Sequence, residues 1–397
     1  MISIFLSPLY LLVNYYLFRR ILKWFHVTSD YFKNKVFKYM LLSIYFLFAI
    51  SPLIGFLLPK SNLERLLVCT GNYWLGCMLY IFFTICVADG IRIFLKKSKK
   101  YDTSRLFTAK AYFYNGLVCI AIIVFICTYG VVNARIVHTT KYDVLINKKV
   151  ENINDMKVVL VADLHIGYNI GAAQIKRMVD NINAENPDIV VMAGDIFDNS
   201  YDAIREPEKI KELFKSINSK YGIYAVYGNH DIYEKTLVGF TFKRHDKKMS
   251  DARMDELLKD SNVMLLRDDY VLVDNAFYLV GRADATRPGR DIDVRKSPDE
   301  LTKDLDKTKP IFVIDHQPRQ LEELSDAGID LDLSGHTHDG QMFPGNVTVG
   351  LMWKNPYGKK KYGKMNSVVT SGVGLYGPNM RVGTIAEITS INVKFSE

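Results

Sequence analysis

Four long apolar stretches fill the first third of the chain. They cover roughly residues 2–18, 39–58, 66–87 and 111–132. At about 1.5 Å per helical residue, each is long enough to cross ~30 Å of hydrocarbon, the first only just. Four such stretches packed inside a soluble domain would leave too little polar surface to dissolve it. We therefore predict an all-α membrane domain at residues 1–136 with four transmembrane helices.

The charge of the chain differs sharply between its two parts. Residues 1–136 hold 16 Lys and Arg against four acidic residues, whereas residues 137–397 hold 35 against 39. The overall net charge of +8 therefore describes neither part and gives no reason to expect nucleic-acid binding. Within the membrane part, the cations concentrate in two loops, at residues 19–38 and 92–110. The positive-inside rule places both loops in the cytoplasm, so we predict a multi-pass cell membrane protein whose residues 137–397 are extracytoplasmic.

The second part carries five short polar clusters, each placed directly after an apolar run. The runs are rich in β-branched residues and bounded by Gly and Asp, which indicates buried strands. The clusters are Asp163-Leu164-His165, Gly194-Asp195, Gly228-Asn229-His230-Asp231, His316 and Gly335-His336-Thr337-His338. Residues 172–185, between the first two, have the mixed pattern of an amphipathic helix. The sequence thus predicts an α/β domain with its polar clusters at the carboxyl ends of strands, where such sheets bind ligands.

The clusters supply seven metal-binding side chains of mixed oxygen and nitrogen type. The candidate ligands are Asp163, His165, Asp195, Asn229, His316, His336 and His338. Seven donors are too many for one tetrahedral ion but suit two divalent ions that share a carboxylate. All five cysteines lie within the predicted spans, so the donor set has no thiolate and favours Mn, Fe or Zn as cofactors.

These blocks resemble, in order, the D-x-H, G-D, G-N-H-[DE], lone His and G-H-x-H pattern of the calcineurin-like metallophosphoesterases. The resemblance covers about residues 137–397 and implies a β-sandwich of two mixed sheets flanked by helices. By position it assigns one metal to Asp163, His165 and His338, a second to Asn229, His316 and His336, and a bridging role to Asp195. It implies that His230 protonates the leaving oxygen, that Asp231 of the same block supports catalysis, and that Asp198 orients His230.

A narrower resemblance concerns the last block. Residues 335–341 are similar to the G-H-T-H-G-G-Q of a bacterial membrane-associated subgroup, as are residues 370–374 and the later Arg381 and Glu387. Asp339 stands where that subgroup often has Gly, a departure that concerns substrate preference more than the metal set. The subgroup implies a lipid-linked or envelope phosphoester as substrate, including the pyrophosphate bond of a nucleotide-activated lipid.

Two further features bear on the substrate. Arg282, Arg287 and Arg290 lie among turn residues and are candidate contacts to phosphate oxygens. The segment at residues 233–248 mixes apolar and basic side chains and is either a binding surface for an acyl chain or an ordinary surface loop. Our leading hypothesis is a membrane-anchored two-metal phosphoesterase acting on a lipid-linked substrate. The alternatives are a nucleotide or cyclic-nucleotide phosphodiesterase acting on soluble substrates, and a metal-stabilised sensor or scaffold that binds a phosphorylated envelope ligand without hydrolysis.

Overall fold

A computed structural model describes residues 2–97, 107–151, 153–232, 236–237, 240–241, 250–289 and 292–396. The chain divides into two compact units. A helical unit comprises residues 1–132 with 235–243 and 377–380, and a sheet unit comprises 133–234, 244–376 and 381–397. The division after residue 132 lies four residues before the predicted boundary. We describe each unit separately.

The described residues among the first 133 include four long helices. They are α1 (Ile2–Thr28), α2 (Lys35–Leu57), α3 (Asn62–Lys97) and α4 (Ala109–Asn133). Among the described residues, α2, α3 and α4 are long and apolar enough to cross a membrane, and they contain the second to fourth predicted stretches almost entirely. The first predicted stretch lies in α1, which continues ten residues beyond it and is not one of those three. The count of four spans therefore stays a prediction.

One polar contact joins two of these helices. Asp89 on α3 forms an ion pair with Arg20 on α1, and the Tyr16 hydroxyl donates to the other Asp89 oxygen at 2.7 Å. Both charged side chains are about a fifth to a quarter exposed. Because each charge has a partner, the pair fixes the register of α1 against α3 without leaving an isolated charge among apolar residues.

Two six-stranded sheets dominate the sheet unit. The first has the order β1-β14-β2-β3-β4-β7, where the strands are Val137–Ile146, Ala386–Phe395, Asp155–Val161, Ile189–Ala193, Ile223–Val226 and Val263–Leu265. The second has the order β12-β13-β11-β10-β9-β8, from Gly358–Tyr362, Met365–Val369, Leu331–Ser334, Ile311–Ile314 and Phe277–Gly281 to Asp269–Val273. Each sheet has a parallel centre and at least one antiparallel pairing nearer its edge, so both are mixed. A hairpin of β5 (Thr236–Leu237) and β6 (Phe240–Thr241) falls in the helical unit.

Alternation along the strands builds the layers. Leu160 and Val191 of the first sheet share one apolar cluster with Phe312 of the second, so these side chains fill the space between the sheets. The neighbouring residues Val159 and Met192 point the other way and pack against helices. Each such fully buried side chain contributes about 1.5–3 kcal/mol to the free energy of folding.

Helices cover both outer faces of the sandwich. They are α5 (Ala172–Glu185), α6 (Pro207–Lys215) and α7 (Ala252–Asp260) on the first sheet, and α8 (Pro298–Thr302) and α9 (Leu321–Asp326) on the second. The helix α5 spans the predicted residues 172–185, because Ile175, Met178, Val179 and Ile182 recur at helical spacing and are all buried. A short helix α10 (Gly345–Thr348) follows the last polar cluster. The predicted two-sheet sandwich is confirmed.

The five polar clusters lie where the sequence predicts. They follow β2, β3, β4, β10 and β11, and within each sheet these strands run parallel to their neighbours in the set. Because the carboxyl ends of parallel strands lie at one edge, side chains separated by more than 170 residues in sequence come within hydrogen-bonding distance of one another.

Candidate metal centre

The first group of ligands joins the loop after β2 to the loop after β11. It consists of Asp163, His165 and His338, whose donor atoms all lie within 4.8 Å of one another. The two imidazole Nε2 atoms are 3.1 Å apart, and His338 Nε2 lies 3.5 Å from Asp163 Oδ1. All three residues are buried. Two nitrogens and a carboxylate oxygen converging in this way form half of a metal coordination sphere.

The second group joins the loops after β3, β10 and β11. It consists of Asp195, His316 and His336, with His316 Nε2 lying 3.0 Å from His336 Nδ1 and 3.2 Å from Asp195 Oδ2. His316 Nδ1 donates to the carbonyl oxygen of Ala193 at 2.9 Å. That hydrogen bond fixes the tautomer, so the Nε2 lone pair points toward the other two ligands, as metal binding requires.

Asp195 lies between the two groups. Its Oδ2 atom is 3.7 Å from His165 Nε2 and 3.2 Å from His316 Nε2, so one oxygen faces a nitrogen of each group. The other oxygen, Oδ1, accepts the backbone N–H of His230 at 2.7 Å. This geometry is the one that a carboxylate shared by two ions needs.

Two buried oxygens of the site lack a hydrogen-bond partner among the described residues. They are Asn229 Oδ1 and Asp163 Oδ1. A buried polar atom left in this state costs about 1–3 kcal/mol, so its persistence requires an explanation. Both atoms belong to the predicted ligand set. A divalent ion at the first group would satisfy Asp163 Oδ1, and an ion bound by Asn229 would satisfy the Asn229 oxygen. The residues present therefore fit a pair of divalent ions.

Burial sets the protonation states of the histidines. It lowers the pKa of His165 to about 4 and that of His336 to about 3, which keeps both imidazoles neutral and able to bind metal. His316 is the exception, because Asp195 and Asp163 outweigh its burial and raise its pKa. Burial also raises the pKa of Asp163 to about 7, whereas His316 and His230 hold the pKa of Asp195 well below its usual range despite burial.

The backbone around the ligands is strained and tightly packed. Asp163, His165, Asp195, His336 and His338 all have positive φ, between 45° and 73°. Such residues persist only where their surroundings over-determine them, and they concentrate at functional sites. A Cβ on Gly228 would lie 2.3 Å from Asp195 Oδ1, which explains glycine in that cluster.

His230 is hydrogen-bonded to Asn199. His230 is buried, and its Nδ1 donates to Asn199 Oδ1 at 2.5 Å. The Asp198 carboxylate lies 4.0 Å from His165 Nδ1 and forms, with His165 and His230, a third group of donor atoms within 4.8 Å of one another, so its orienting role stays a prediction. Asn199 directly follows the predicted residue in sequence. Nothing in its residue type indicated an orienting function.

Asp231 holds two loops together. Its carboxylate accepts the backbone N–H groups of Gly228 and Phe197, each at 2.7 Å, and it is fully buried. Burial raises the pKa of this carboxyl strongly. Both oxygens are bound to backbone N–H groups, so the contacts described are positioning ones, and the catalytic role of Asp231 stays a prediction.

Two residues near the carboxyl terminus complete the surroundings of the site. The Tyr376 ring lies 4.8 Å from the His230 ring and 5.8 Å from the His165 ring, measured between centroids. The buried Arg381 guanidinium donates to the carbonyl oxygens of Ser371, Gly372 and Gly374, at 2.7–3.1 Å. Tyr376 was absent from the predicted site and Arg381 was noted only for its resemblance to the subgroup, because no sequence spacing relates either residue to the five clusters.

The three candidate substrate arginines have different environments. Arg282 is fully buried and donates to Asp315 at 2.7 Å and to Gln320 at 2.8 Å, so it is not placed to meet a phosphate in solution. Arg287 donates to the carbonyl oxygen of the ligand Asn229 at 2.7 Å and thus lies at the site. Arg290 lies outside the described residues.

A further arginine stands near the second group of ligands. The exposed Arg319 guanidinium lies 4.9 Å above the ring of Trp353, and that ring lies 4.9 Å from the ring of His336. No sequence pattern marks this stack, because its members are separated by up to 34 positions in irregular segments. Asp339, beside His338, is half-buried, and burial raises its pKa to about 6.

The fold and site agree with a known family. Residues 156–340 match the family model described as calcineurin-like phosphoesterase, a range that begins in β2 and ends just after the last polar cluster. The chain therefore carries a calcineurin-like metallophosphoesterase domain.

Several named proteins are similar to this chain over much of its length. A "transmembrane protein with metallophosphoesterase domain" of Danio rerio is 29% identical over 338 residues, which are 82% of this chain and 72% of that protein. An uncharacterized metallophosphoesterase of Campylobacter jejuni is 26% identical over 400 residues, 96% of this chain and 95% of its own. One from Bacillus subtilis is 24% identical over 281 residues, 66% of this chain and 86% of its own. The family and these relatives identify the protein as a metal-dependent phosphoesterase associated with a membrane.

Proposed function

We propose that the protein is a membrane-anchored phosphoesterase that holds two divalent ions and hydrolyses a phosphoester or pyrophosphate bond of a lipid-linked or envelope substrate. One observation carries the two-ion part of the proposal. Two separate ligand groups share Asp195, and the unpartnered oxygens of Asp163 and Asn229 belong to the same set. A single-ion site would leave one of these groups without a purpose.

The ligand assignment follows the two groups. Asp163, His165 and His338 would hold the first ion, Asn229, His316 and His336 the second, and Asp195 both. When bound, such ions supply positive charge to a phosphate group and lower the pKa of water. The donor chemistry favours Mn, Fe or Zn.

The protein's own side chains complete the reaction. His230 keeps its Nδ1 proton on Asn199, so proton exchange with the substrate takes place at Nε2. Because burial lowers the pKa of His230 to about 3, Nε2 takes a proton from solvent and passes it to the leaving oxygen, while the attacking water releases one proton to solvent. Arg287 and Arg319 are the arginines that we assign to phosphate oxygens, because one contacts the backbone of a ligand and the other stacks beside His336 through Trp353.

The membrane part supports a membrane-borne substrate. The basic residues at 19–38 and 92–110 favour a cytoplasmic location for those loops, which puts the sheet unit on the outer side. Only three residues lie between α4 and β1, so the first strand begins close to the end of a candidate span. Two fusions after residue 397 test the orientation, one to alkaline phosphatase and one to green fluorescent protein. We expect phosphatase activity from the first, whereas fluorescence from the second would contradict an outer location of the sheet unit.

Hydrolysis by the full-length protein tests the function directly. The purified chain, stripped of metal by a chelator, receives Mn²⁺, Zn²⁺ or Fe²⁺ and is offered bis(4-nitrophenyl) phosphate, 4-nitrophenyl phosphate and the lipids phosphatidic acid and CDP-diacylglycerol. We expect turnover that depends on metal, and binding of two ions per chain. Asp195→Ala is the matched control, since it removes the shared ligand and should abolish both.

Each outcome selects among the three hypotheses. Preference for a lipid supports the proposal, whereas preference for the soluble diester supports the soluble phosphodiesterase. Two bound ions without turnover of any ester would support the sensor. Binding of one ion only, with full activity, would refute the two-ion arrangement.

A further inference from the structure

An exposed apolar tip follows the last polar cluster. It consists of Val347 on α10 and of Leu351 and Met352 just after it, whose exposed fractions are 66%, 87% and 80%. Large apolar side chains are normally covered in a folded domain, and a contiguous exposed set marks a surface that contacts a partner or a membrane. These three lie within six positions of one another in the chain.

Basic residues follow the tip in the sequence, and no acidic residue occurs in the same stretch. No Asp or Glu occurs between residues 340 and 386, a stretch that contains Lys354, Lys359, Lys360, Lys361 and Lys364. All five lysines are exposed, and three of them form the edge strand β12. Lys354 is paired with Glu322 at 2.6 Å. Lys359 and Lys360 donate to backbone carbonyl oxygens instead, so no carboxylate compensates the charge of these two lysines in those contacts.

Lysines on an edge strand are a common device against edge-to-edge pairing of sheets, and that explanation would suffice for β12 alone. It does not account for the apolar side chains that precede the lysines. An apolar tip combined with a field of cations is the pattern of a surface that inserts into the interface of an anionic bilayer.

The tip is also joined to the metal centre. Trp353 directly follows Met352. Its ring packs against the ring of the proposed ligand His336, and the Arg319 guanidinium lies over the Trp353 ring. A surface that inserts at residues 347–352 would therefore bring the headgroup region of a bilayer to the second group of ligands. Phosphate groups lie in that region.

We infer that residues 347–364 are a docking surface for an anionic lipid bilayer and that the site acts on phosphate groups presented at that bilayer surface. The inference rests on the proposed phosphoesterase function and specifies its substrate class. The apolar tip enters the interface, the lysines meet anionic headgroups, and the Trp353 and Arg319 stack receives the phosphate next to His336.

The test uses the full-length protein in nanodiscs and two substituted forms. Leu351→Glu combined with Met352→Glu removes the apolar tip without touching a ligand, and Val294→Glu, at a position 84% exposed, is the matched control. Phosphatidic acid in the bilayer and bis(4-nitrophenyl) phosphate in solution are the two substrates. We expect the double variant to lose at least about tenfold in rate on the lipid, the scale of withdrawing one large side chain from an apolar environment, and to keep its rate on the soluble ester.

Hydrogen exchange gives a second readout that does not depend on activity. The backbone of residues 347–353 should exchange more slowly in nanodiscs containing phosphatidylglycerol than in phosphatidylcholine alone, and 1 M salt should remove the difference. The triple variant with Lys359→Gln, Lys360→Gln and Lys361→Gln should also lose the difference in exchange between the two lipids. Val294→Glu should leave the protection unchanged.

Several results would overturn the docking inference. They are an equal loss of rate on both substrates in the double variant, an unchanged rate of that variant on the lipid, and exchange protection of residues 347–353 that is independent of lipid charge. Protection that rises with protein concentration in phosphatidylcholine alone would indicate contact between two copies of the chain instead. If the wild-type protein hydrolyses neither substrate, the proposed function fails, whereas the exchange experiment still decides whether the surface docks.

Discussion

The hydrogen bond between Asn199 and His230 yields a sharp prediction about catalysis. Asn199→Ala removes the oxygen that lies 2.5 Å from His230 Nδ1, while leaving every proposed metal ligand in place. The imidazole loses its orientation and its fixed tautomer. Because general acid catalysis contributes about 10²- to 10⁴-fold, loss of its alignment should lower kcat by about 10- to 100-fold.

The size of the loss should depend on the leaving group. An alkoxide needs a proton as it departs, whereas 4-nitrophenolate needs little help. We therefore expect Asn199→Ala to slow a methyl phosphodiester far more than a 4-nitrophenyl one. Steady-state kinetics on the two esters, together with metal content by mass spectrometry, measure the effect and show that the ions are retained.

Two further variants decide whether the loss acts through His230. In His230→Ala the acid is already absent, so adding Asn199→Ala should cost little more, and the two effects should be far from additive. Asp198→Asn tests the competing assignment, since that carboxylate lies 4.0 Å from His165 Nδ1 and within 4.8 Å of a His230 ring nitrogen. Additive losses, or a larger loss in Asp198→Asn than in Asn199→Ala, would refute the orienting role of Asn199.

Three other predictions concern stability and metal binding. Asp315→Asn breaks a fully buried ion pair and should lower the free energy of unfolding by about 3–5 kcal/mol in urea titrations, with a loss under 1 kcal/mol arguing that the pair is dispensable. The pKa of Asp163 in the metal-free protein is raised to about 7, so below that pH a proton competes with the ion for the carboxylate. The affinity for Mn²⁺ should therefore fall by up to about tenfold per pH unit from pH 7 to 5. An affinity that does not change with pH would contradict this. Gly228→Ala should reduce bound metal, because its Cβ would lie 2.3 Å from Asp195 Oδ1, whereas Gly171→Ala, whose Cβ meets no atom within 4 Å, should bind metal normally.

The sequence predicted the parts of the fold that depend on local pattern. Short β-branched runs gave five central strands, and apolar residues at helical spacing gave α5 with its observed ends. The candidate metal centre could be predicted from the sequence for the same reason. Each ligand sits at a fixed offset from the end of its own strand, so local spacing places all of them at one edge of the sheets.

Features that depend on distant contacts were not predicted. Asn199 was missed because a neighbouring carboxylate offered a more familiar partner for His230. The stack of Arg319, Trp353 and His336 brings together three irregular segments, and no periodic pattern marks such segments. The burial of Arg282 likewise depends on Asp315, 33 positions away, and an isolated arginine among turn residues gives no sign of that pairing.

The position of β14 has a consequence for how the protein is made. β1 directly follows the last candidate span, yet its ladder partner is β14, about 250 residues later, paired from Val137 with Ala386 to Ile146 with Phe395. β14 also pairs with β2 on its other side. Until residues 386–395 have been synthesised, β1 and one edge of β2 therefore lack this ladder partner, and unpaired strand edges invite wrong pairing. The sheet closes only once residues 386–395 emerge, so a chain interrupted before that point should be a preferred substrate for membrane proteases.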